Sequence, residues 1–342
     1  MKKLLNTLYV LTLDSYLFCR NENICVRIGD MEKLSVPALN MDSIVCFGKM
    51  TVSTPLLEFC GSHGISLTFI RENGRFMGRL QGPVSGNVLL RKRQYASMED
   101  AAFAQRTVQS ILLAKLRNSK LVLMRVARTE RASAYKEELM LGVQQLNEAV
   151  VNLLECSSVD SMRGIEGAAA TSYFARFDCM LAGNPGGFRF DTRSRRPPRN
   201  EVNAALSFTY MLLSGQMQSA MEAVGLDPAA GYLHTLRPGR ASFALDLIEE
   251  LRAPLCDRFV LSLFNKGQLS RSDFDQDEEM VSLNERGHRT LLSAWEKRKQ
   301  EQIVHPFLKE KVPIGLIPYV QAMLFARVLR GDLDDYPPFV WR

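Results

Sequence analysis

The residues best suited to chemistry in this amino-acid sequence are a histidine and two acids close together along the chain. His234 lies between two predicted helices, and Asp246 and Glu249 follow it on the second of them. Residues three apart share one face of a helix, so the two carboxylates can act together. Leucines and an isoleucine around them predict a buried helix, where a carboxylate needs a compensating charge. Either a metal ion held with His234 or the flanking arginines Arg240 and Arg252 could supply that charge.

A further acid, Glu166, occurs in a predicted helix built mostly of glycine and alanine. Small side chains let neighbouring backbones approach closely, so this carboxylate would project into a tight interior. The aromatic residues Tyr173, Phe174 and Phe177 indicate that the segment belongs to the core. A surface glutamate on a helix packed through its alanines is the alternative, and a lone loop histidine such as His234 could equally be structural.

Basic residues are concentrated in a loop between residues 188 and 200. It carries five arginines against a single acid, Asp191, namely Arg189, Arg193, Arg195, Arg196 and Arg199. Two further basic clusters lie at residues 91–93 and 115–131. Guanidinium groups bind phosphates in a bidentate, salt-sensitive manner. The clusters therefore favour binding to a nucleic-acid backbone, although any one of them could serve solubility alone.

Composition and the absence of certain motifs favour a globular protein and argue against a nucleotide-binding or membrane protein. The 342 residues are 46% hydrophobic and 23% charged, with a formal charge of +6, which is typical of a globular protein. The seven cysteines form no C-x-x-C pair, so we expect reduced thiols and a cytoplasmic protein. Neither a phosphate-binding G-x-x-x-x-G-K-[ST] loop nor a G-x-G-x-x-G turn occurs. The proline-containing apolar stretch 312–326 predicts a core helix and not a membrane span.

The elements that must position these residues predict an α+β fold. Residues 1–83 read as an N-terminal domain of short strands with one helix after Thr54, residues 84–96 as a linker, and residues 97–342 as a larger, all-helical domain. An Asn73-Gly74 pair predicts a hairpin turn. Helices are expected at 97–116, 137–154, 161–181, 200–224, 241–252, 255–266, 286–302 and 313–330. The acidic tail from residue 332 to 338 is expected to be a loose surface end.

Several motifs together resemble those of the CRISPR-associated integrase, the metal-dependent endonuclease subunit that inserts new spacers, most closely in its subtype I-C form. The motifs span the chain. They are Asn6-Thr7-Leu8-Tyr9-Val10, Ile44-Val45-Cys46-Phe47-Gly48, Gly74-Arg75-Phe76, Gly82-Pro83-Val84-Ser85-Gly86-Asn87-Val88, Arg163-Gly164-Ile165-Glu166-Gly167, Arg195-Arg196-Pro197-Pro198, Val202-Asn203-Ala204, Gly231-Tyr232-Leu233-His234, and Gly239-Arg240 leading to Ala244-Leu245-Asp246-Leu247-Ile248-Glu249-Glu250.

The resemblance implies a catalytic site and a set of partners. Glu166, His234 and Glu249 would be the catalytic and metal-binding residues, with Asp246 as a direct ligand or a supporting group, and the metal would be Mg²⁺ or Mn²⁺. The arginine loop, with Arg240 and Arg252, would bind double-stranded DNA.

The resemblance further implies a homodimer formed through the N-terminal domain, two dimers bridged by a small ferredoxin-like CRISPR-associated partner, and a possible processing nuclease. Two other functions stay open: a non-catalytic DNA-binding assembly subunit, and a metallohydrolase acting on small phosphate esters.

Overall fold

Two four-stranded sheets form the N-terminal part of the chain. The computed structural model describes residues 5–71, 76–80, 82 and 88–341. The strands are β1 (Asn6–Val10), β2 (Tyr16–Arg20), β3 (Asn23–Ile28), β4 (Met31–Pro37), β5 (Met41–Phe47), β6 (Thr51–Val52), β7 (Ser66–Ile70) and β8 (Phe76–Leu80). One sheet has the order β1-β5-β7-β8, with only β8 antiparallel to its neighbour, and the other has the order β4-β3-β2-β6.

One helix, α1 (Thr54–His63), interrupts the strands as predicted. Its N-cap is Ser53, whose hydroxyl accepts a hydrogen bond from the backbone N–H of Leu56, and not Thr54. The helix ends at Gly64, which adopts the left-handed conformation (φ 66°) that favours glycine. The predicted Asn73-Gly74 turn, and all of the Gly82-Pro83 junction except residue 82, lie outside the described residues.

The assignment of residues 84–96 to a linker is wrong for residues 88–96. They form most of helix α2 (Val88–Glu99), which precedes α3 (Ala101–Ala127). Gln94 is fully buried in α2 and binds the backbone at Asp227 and Ala230, which anchors the helix to the C-terminal part. The Pro and Gly residues before this segment favour a loop, and the tertiary contacts of Gln94 that hold a helix here are not visible in the sequence.

Helices dominate the rest of the chain. They are α4 (Lys136–Glu155), α5 (Val159–Ala175), α6 (Phe177–Met180), α7 (Glu201–Val224), α8 (Ser242–Leu251), α9 (Arg258–Asn265), α10 (Glu285–Gln300) and α11 (Ile317–Arg330), with a π-helical turn, Arg252–Asp257, between α8 and α9. Two small antiparallel hairpins also occur, β9 (Phe274–Gln276) with β10 (Val281–Leu283) and β11 (Gln302–Val304) with β12 (Lys311–Pro313). The α+β class is confirmed, but this part is not all-helical. Three-residue strands are too short for their alternation to stand out in a sequence.

The N-terminal sheet that contains β1 packs directly against the helices. Phe47 at the end of β5 contacts Phe208 of α7 and His288 of α10, with ring centroids 5.9 Å and 5.3 Å away. Phe47 and Ile70 therefore belong to the large core of the helical part, whereas the second core lies among the strands and α1. Among the described residues, none of the helices combines the length and apolar character needed to cross a membrane.

Candidate active site

Helix α8 carries three buried carboxylates. Asp246, Glu249 and Glu250 are at most 3% exposed. The first two face the loop that contains His234, whereas Glu250 faces the C-terminal segment of the chain. The surrounding leucines bury the helix on every side, so the environment of each carboxylate depends on its specific partners.

Asp246 is fully occupied by hydrogen bonds from the loop before α8. One carboxylate oxygen accepts the backbone N–H groups of Tyr232 (2.6 Å) and Leu233 (2.9 Å), and the other accepts the N–H of His234 (2.9 Å) and its ring Nδ1 (2.6 Å). Gly231 is required for this approach, because a Cβ there would lie 2.8 Å from an Asp246 oxygen. Asp246 therefore shapes the loop and orients the imidazole.

His234 presents its other ring nitrogen to Glu249. With Nδ1–H donating to Asp246, Nε2 carries a lone pair, which is the arrangement of a metal-ligating histidine supported by a carboxylate. Nε2 lies 3.9 Å from Oε1 of Glu249. Arg163 of α5 holds the same loop from the opposite side, since its Nε donates to the Leu233 carbonyl oxygen at 2.6 Å.

Glu166 and Glu249 meet at one cation. The ammonium of Lys115, on α3, binds a carboxylate oxygen of Glu166 and Oε2 of Glu249, the latter at 2.5 Å, while Arg252 binds Oε1 of Glu249. Burial acts to raise the pKa of Glu249, but the positive charges of Arg252 and Lys115 lower it to about 2. Two carboxylates, from α5 and α8, thus meet at one ammonium, with the imidazole of the preceding loop beside Glu249.

The donor set at this point suits Mg²⁺ or Mn²⁺, which prefer hard oxygen ligands and accept imidazole. In the described part of the chain, no three His, Cys, Asp or Glu side chains form a metal cluster as they stand. The reason is local: the Lys115 ammonium lies between the two glutamates. A divalent cation would therefore use Glu166, Glu249 and Nε2 of His234 only with Lys115 displaced. Asp246 has no oxygen left to contribute.

A layer of aromatic and acidic groups supports the arginines of the site. Tyr173 and Tyr210 donate hydrogen bonds to the buried carboxylate of Asp257 at 3.0 and 2.5 Å. The Tyr210 ring lies 5.1 Å from the Arg252 guanidinium and 5.4 Å from that of Arg193, which is cation–π distance. Burial raises the pKa of Asp257 to about 6, even though both tyrosines and both arginines lower it. Asp257 ends the π-helical turn, a distortion often found at functional sites.

Comparison with known proteins identifies the family. The family model described as CRISPR associated protein Cas1 matches residues 8–297. The CRISPR-associated endonuclease Cas1 1 of Chlorobaculum tepidum is 44% identical over 344 residues, with both chains covered completely. The chain belongs to the Cas1 family.

Two solved structures show the same fold at low identity. A chain of a Cas6-RT-Cas1–Cas2 complex superposes with a TM-score of 0.84 and 20% identity, covering all of this chain and 36% of that one. A casposase bound to its integration product gives a TM-score of 0.83 at 21% identity, covering 99% and 95% of the two chains. The Cas1 fold therefore accounts for the whole chain.

The predicted DNA-binding arginines of this Cas1-family chain occupy different environments. Arg195, Arg196 and Arg199 are exposed, and Arg195 also lines the cavity that contains Lys115 and Glu249. Arg189 is exposed but pairs with Asp178 at 2.7 Å. Arg193, Arg240 and Arg252 are partly buried. Arg193 donates hydrogen bonds to Asn203 and Ser207, and Arg252 pairs with Glu249. Arg240 lies in the loop before α8.

The C-terminal segment is docked and not a loose end as predicted. Tyr336 and Phe339 are buried, and both bind the Glu250 carboxylate, Tyr336 through its hydroxyl (2.7 Å) and Phe339 through its N–H (3.0 Å). Asn118 of α3 bonds the backbone of Phe339 and Trp341. Glu250 is therefore not on a solvated face, and the segment fastens α8 to α3 beside the candidate site.

Lys115 and Asp257 were not singled out as site residues by sequence analysis. Lys115 was assigned to a basic cluster, and Asp257 carries no motif. The spacing of Lys115, Ser119 and Val122 does place them on one face of α3, but only the folded chain shows that this face meets Glu166 and Glu249.

Proposed function

We propose that this chain is a metal-dependent DNA endonuclease and integrase that inserts captured DNA fragments into a CRISPR repeat array. The observation that carries the proposal is the meeting of Glu166 and Glu249 at the Lys115 ammonium, with Nε2 of His234 3.9 Å from Oε1 of Glu249. Membership of the Cas1 family and the printed name of the Chlorobaculum tepidum relative, an endonuclease, support it.

The reaction transfers a phosphodiester between two oxygens. A 3′-hydroxyl of the captured fragment attacks a phosphorus atom of the array; the new P–O bond forms while the bond to the array's own 3′-oxygen breaks, and the hydroxyl proton ends on that leaving oxygen or on solvent. Attack by water gives cleavage instead. A bound Mg²⁺ or Mn²⁺ supplies Lewis-acid stabilisation of the developing charge.

The residues of this chain contribute orientation and charge. Asp246 fixes the tautomer and direction of His234, so Nε2 stays available to a metal ion. Lys115 and Arg252 are cations within contact of the carboxylates and can pass to phosphate oxygens when a metal takes the carboxylates. Arg195, at the mouth of the same cavity, can bind the phosphate of the bound strand.

The partners form a second part of the proposal. The chain would act on double-stranded DNA as a homodimer, two dimers being bridged by a small ferredoxin-like CRISPR-associated protein, with a processing nuclease as a possible further partner. The chain of the Cas6-RT-Cas1–Cas2 complex with the same fold supports a Cas2-type partner. Exposed apolar residues on and beside edge strand β4, including Met31 and Leu39, support dimerisation through the N-terminal sheets. A cytoplasmic location and a subtype I-C array complete the proposal.

The experiment compares Glu166→Gln and His234→Ala with Glu148→Gln, an exposed glutamate of α4. Purified proteins are assayed with Mg²⁺ or Mn²⁺ for cleavage of DNA and for joining of a labelled fragment to a repeat-bearing supercoiled plasmid. We expect both site variants to lose activity while the control and EDTA-treated protein remain folded by circular dichroism. Full activity in either folded site variant would refute the site.

A second candidate is a non-catalytic DNA-binding assembly subunit. The pairing of Glu249 with Arg252 and of both glutamates with Lys115 favours it, because these charges are already neutralised within the protein. In that case the wild-type chain binds DNA with a steep salt dependence but shows no metal-dependent cleavage or joining.

A further inference from the structure

A basic groove lies at the C-terminal end of α3. It is defined by Arg125 of α3, Arg131 in the turn after it, Arg258 at the start of α9 and Lys266 at its end, and it encloses about 200 Å³. Valine and leucine side chains form its floor, and no acidic residue is among the described residues that line it. Several cations grouped on an apolar floor repel one another unless an anion joins them.

Two residues that line this groove each carry a buried polar atom without a partner. Among the described residues, Nη1 of Arg258 and Oδ1 of Asn265 make no hydrogen bond. Buried polar groups are almost always bonded, so such atoms are unusual. An oxyanion seated in the groove would lie beside the Arg258 guanidinium and compensate its charge.

Arg258 is held rigidly beside the groove. Its guanidinium lies 4.6 Å from the Trp341 ring of the docked C-terminal segment, and those of Arg125 and Arg298 lie 5.6 and 5.9 Å from the same ring. Burial, together with repulsion from Arg125 and Arg298, lowers the pKa of Arg258 to about 10. The acid that acts on it, Glu301, is already paired with Arg298.

The groove and the candidate active site are built from the same two runs of chain. On α3, Lys115 and Ser119 line the active-site cavity, and Val122 and Val126 line the groove. Where the π-helical turn meets α9, Asp257 lines the active-site cavity, and the next residue, Arg258, lines the groove. Ten residues of α3 separate Lys115 from Arg125, which corresponds to about 15 Å. Phosphates of one DNA strand rise about 3.4 Å each along the duplex axis and also wind around it, so this span covers only a few phosphates.

We infer that the basic groove binds a backbone phosphate of the same DNA strand that enters the active site, within a few nucleotides of the reacting phosphorus. The inference rests on the proposed function, since it takes DNA as the ligand. It assigns Arg131, Arg258 and Lys266 to a binding site separate from the arginine loop at 189–199. The groove would fix the position of the strand along α3 and so determine which phosphate reaches Glu166 and Glu249.

The first test removes the two exposed charges of the groove. The double variant Arg131→Gln/Lys266→Gln is compared with Lys49→Gln/Lys297→Gln, which removes two exposed lysines, one between β5 and β6 and one on α10. Binding to a short labelled duplex is measured across a range of salt concentrations. We expect the groove variant to bind roughly tenfold more weakly at low salt and to lose about two from the log–log salt slope, with the control unchanged. Equal behaviour of the two variants would overturn the inference.

The second test locates the phosphate. A branched DNA that mimics the joined product is made with one neutral methylphosphonate at successive positions, so that the junction sets the register. In wild-type protein a substitution at one position within a few nucleotides of the junction should weaken binding, and in the groove variant it should have no further effect. Sensitivity that persists in the variant would place that phosphate elsewhere. If wild-type protein binds DNA but neither cleaves nor joins it, the proposed function fails while the binding comparison still decides the groove.

Discussion

The substitution Asp246→Asn separates a supporting carboxylate from a metal ligand. Each oxygen of Asp246 accepts two hydrogen bonds, from three backbone N–H groups and from the His234 ring. Asparagine offers one oxygen and one NH₂, so the NH₂ must face two donors. Hydrogen bonds to a charged acceptor contribute about 1.5–3 kcal/mol each, so losing two of them lowers the free energy of unfolding by about 3–6 kcal/mol. The His234 ring also loses its fixed tautomer.

The expected effect on activity follows from the loss of that tautomer. Removing the partner of a metal-ligating histidine typically weakens metal binding by about 10–100-fold. Cleavage by Asp246→Asn should therefore need about 10–100-fold more Mn²⁺ or Mg²⁺ for half-maximal rate, and should recover at high metal concentration. Glu249→Gln removes a proposed ligand itself and should not recover. Circular dichroism and thermal unfolding, recorded first, set a temperature at which all the proteins are folded.

Two results would refute this reasoning. If folded Asp246→Asn stays inactive at every metal concentration, Asp246 is a metal ligand despite its four hydrogen bonds. If it matches wild-type protein at low metal concentration, the histidine does not depend on that carboxylate. Asp277→Asn, which removes an exposed charge from the turn between β9 and β10, controls for the loss of one negative charge.

Three further outcomes are expected. Burial lowers the pKa of His288 from 6.5 to about 4. The neutral ring therefore stabilises the fold above pH 6.5, and about 3 kcal/mol of the free energy of unfolding is lost as the pH falls from 6.5 to 4. His288→Phe should flatten that part of the pH profile of urea unfolding, and an unchanged slope would contradict the assignment. Phe339→Ala should lower the free energy of unfolding by about 3–5 kcal/mol, because the ring is fully buried, whereas a denaturation midpoint equal to that of wild type would mean that the C-terminal segment is not docked. Reversal of Arg195 and Arg196 to glutamate should weaken DNA binding and flatten its salt dependence, which filter binding can measure; unaltered affinity would exclude the loop.

Local sequence patterns determined much of the secondary structure of this protein. The capping signals and apolar periodicity predicted α1 and most of the later helices, because residues near in sequence decide where a helix begins and which face it buries. The same patterning separated a strand-rich N-terminal part from a helical part. The three-residue spacing also placed Asp246 and Glu249 on one helix, since that geometry is set within a single turn.

Pairings between distant residues could be decided only by the tertiary structure. Whether a carboxylate meets a metal, an arginine or a lysine depends on the element packed against it, and α3 brings Lys115 to Glu166 and Glu249 from 51 and 134 residues away. The docking of Phe339 beside Glu250 and the joining of Arg258 to the groove arise in the same way. Helical periodicity shows that a helix face is buried but not which element packs against it. The residues whose charges neutralise a buried acid can therefore be identified only in the folded chain.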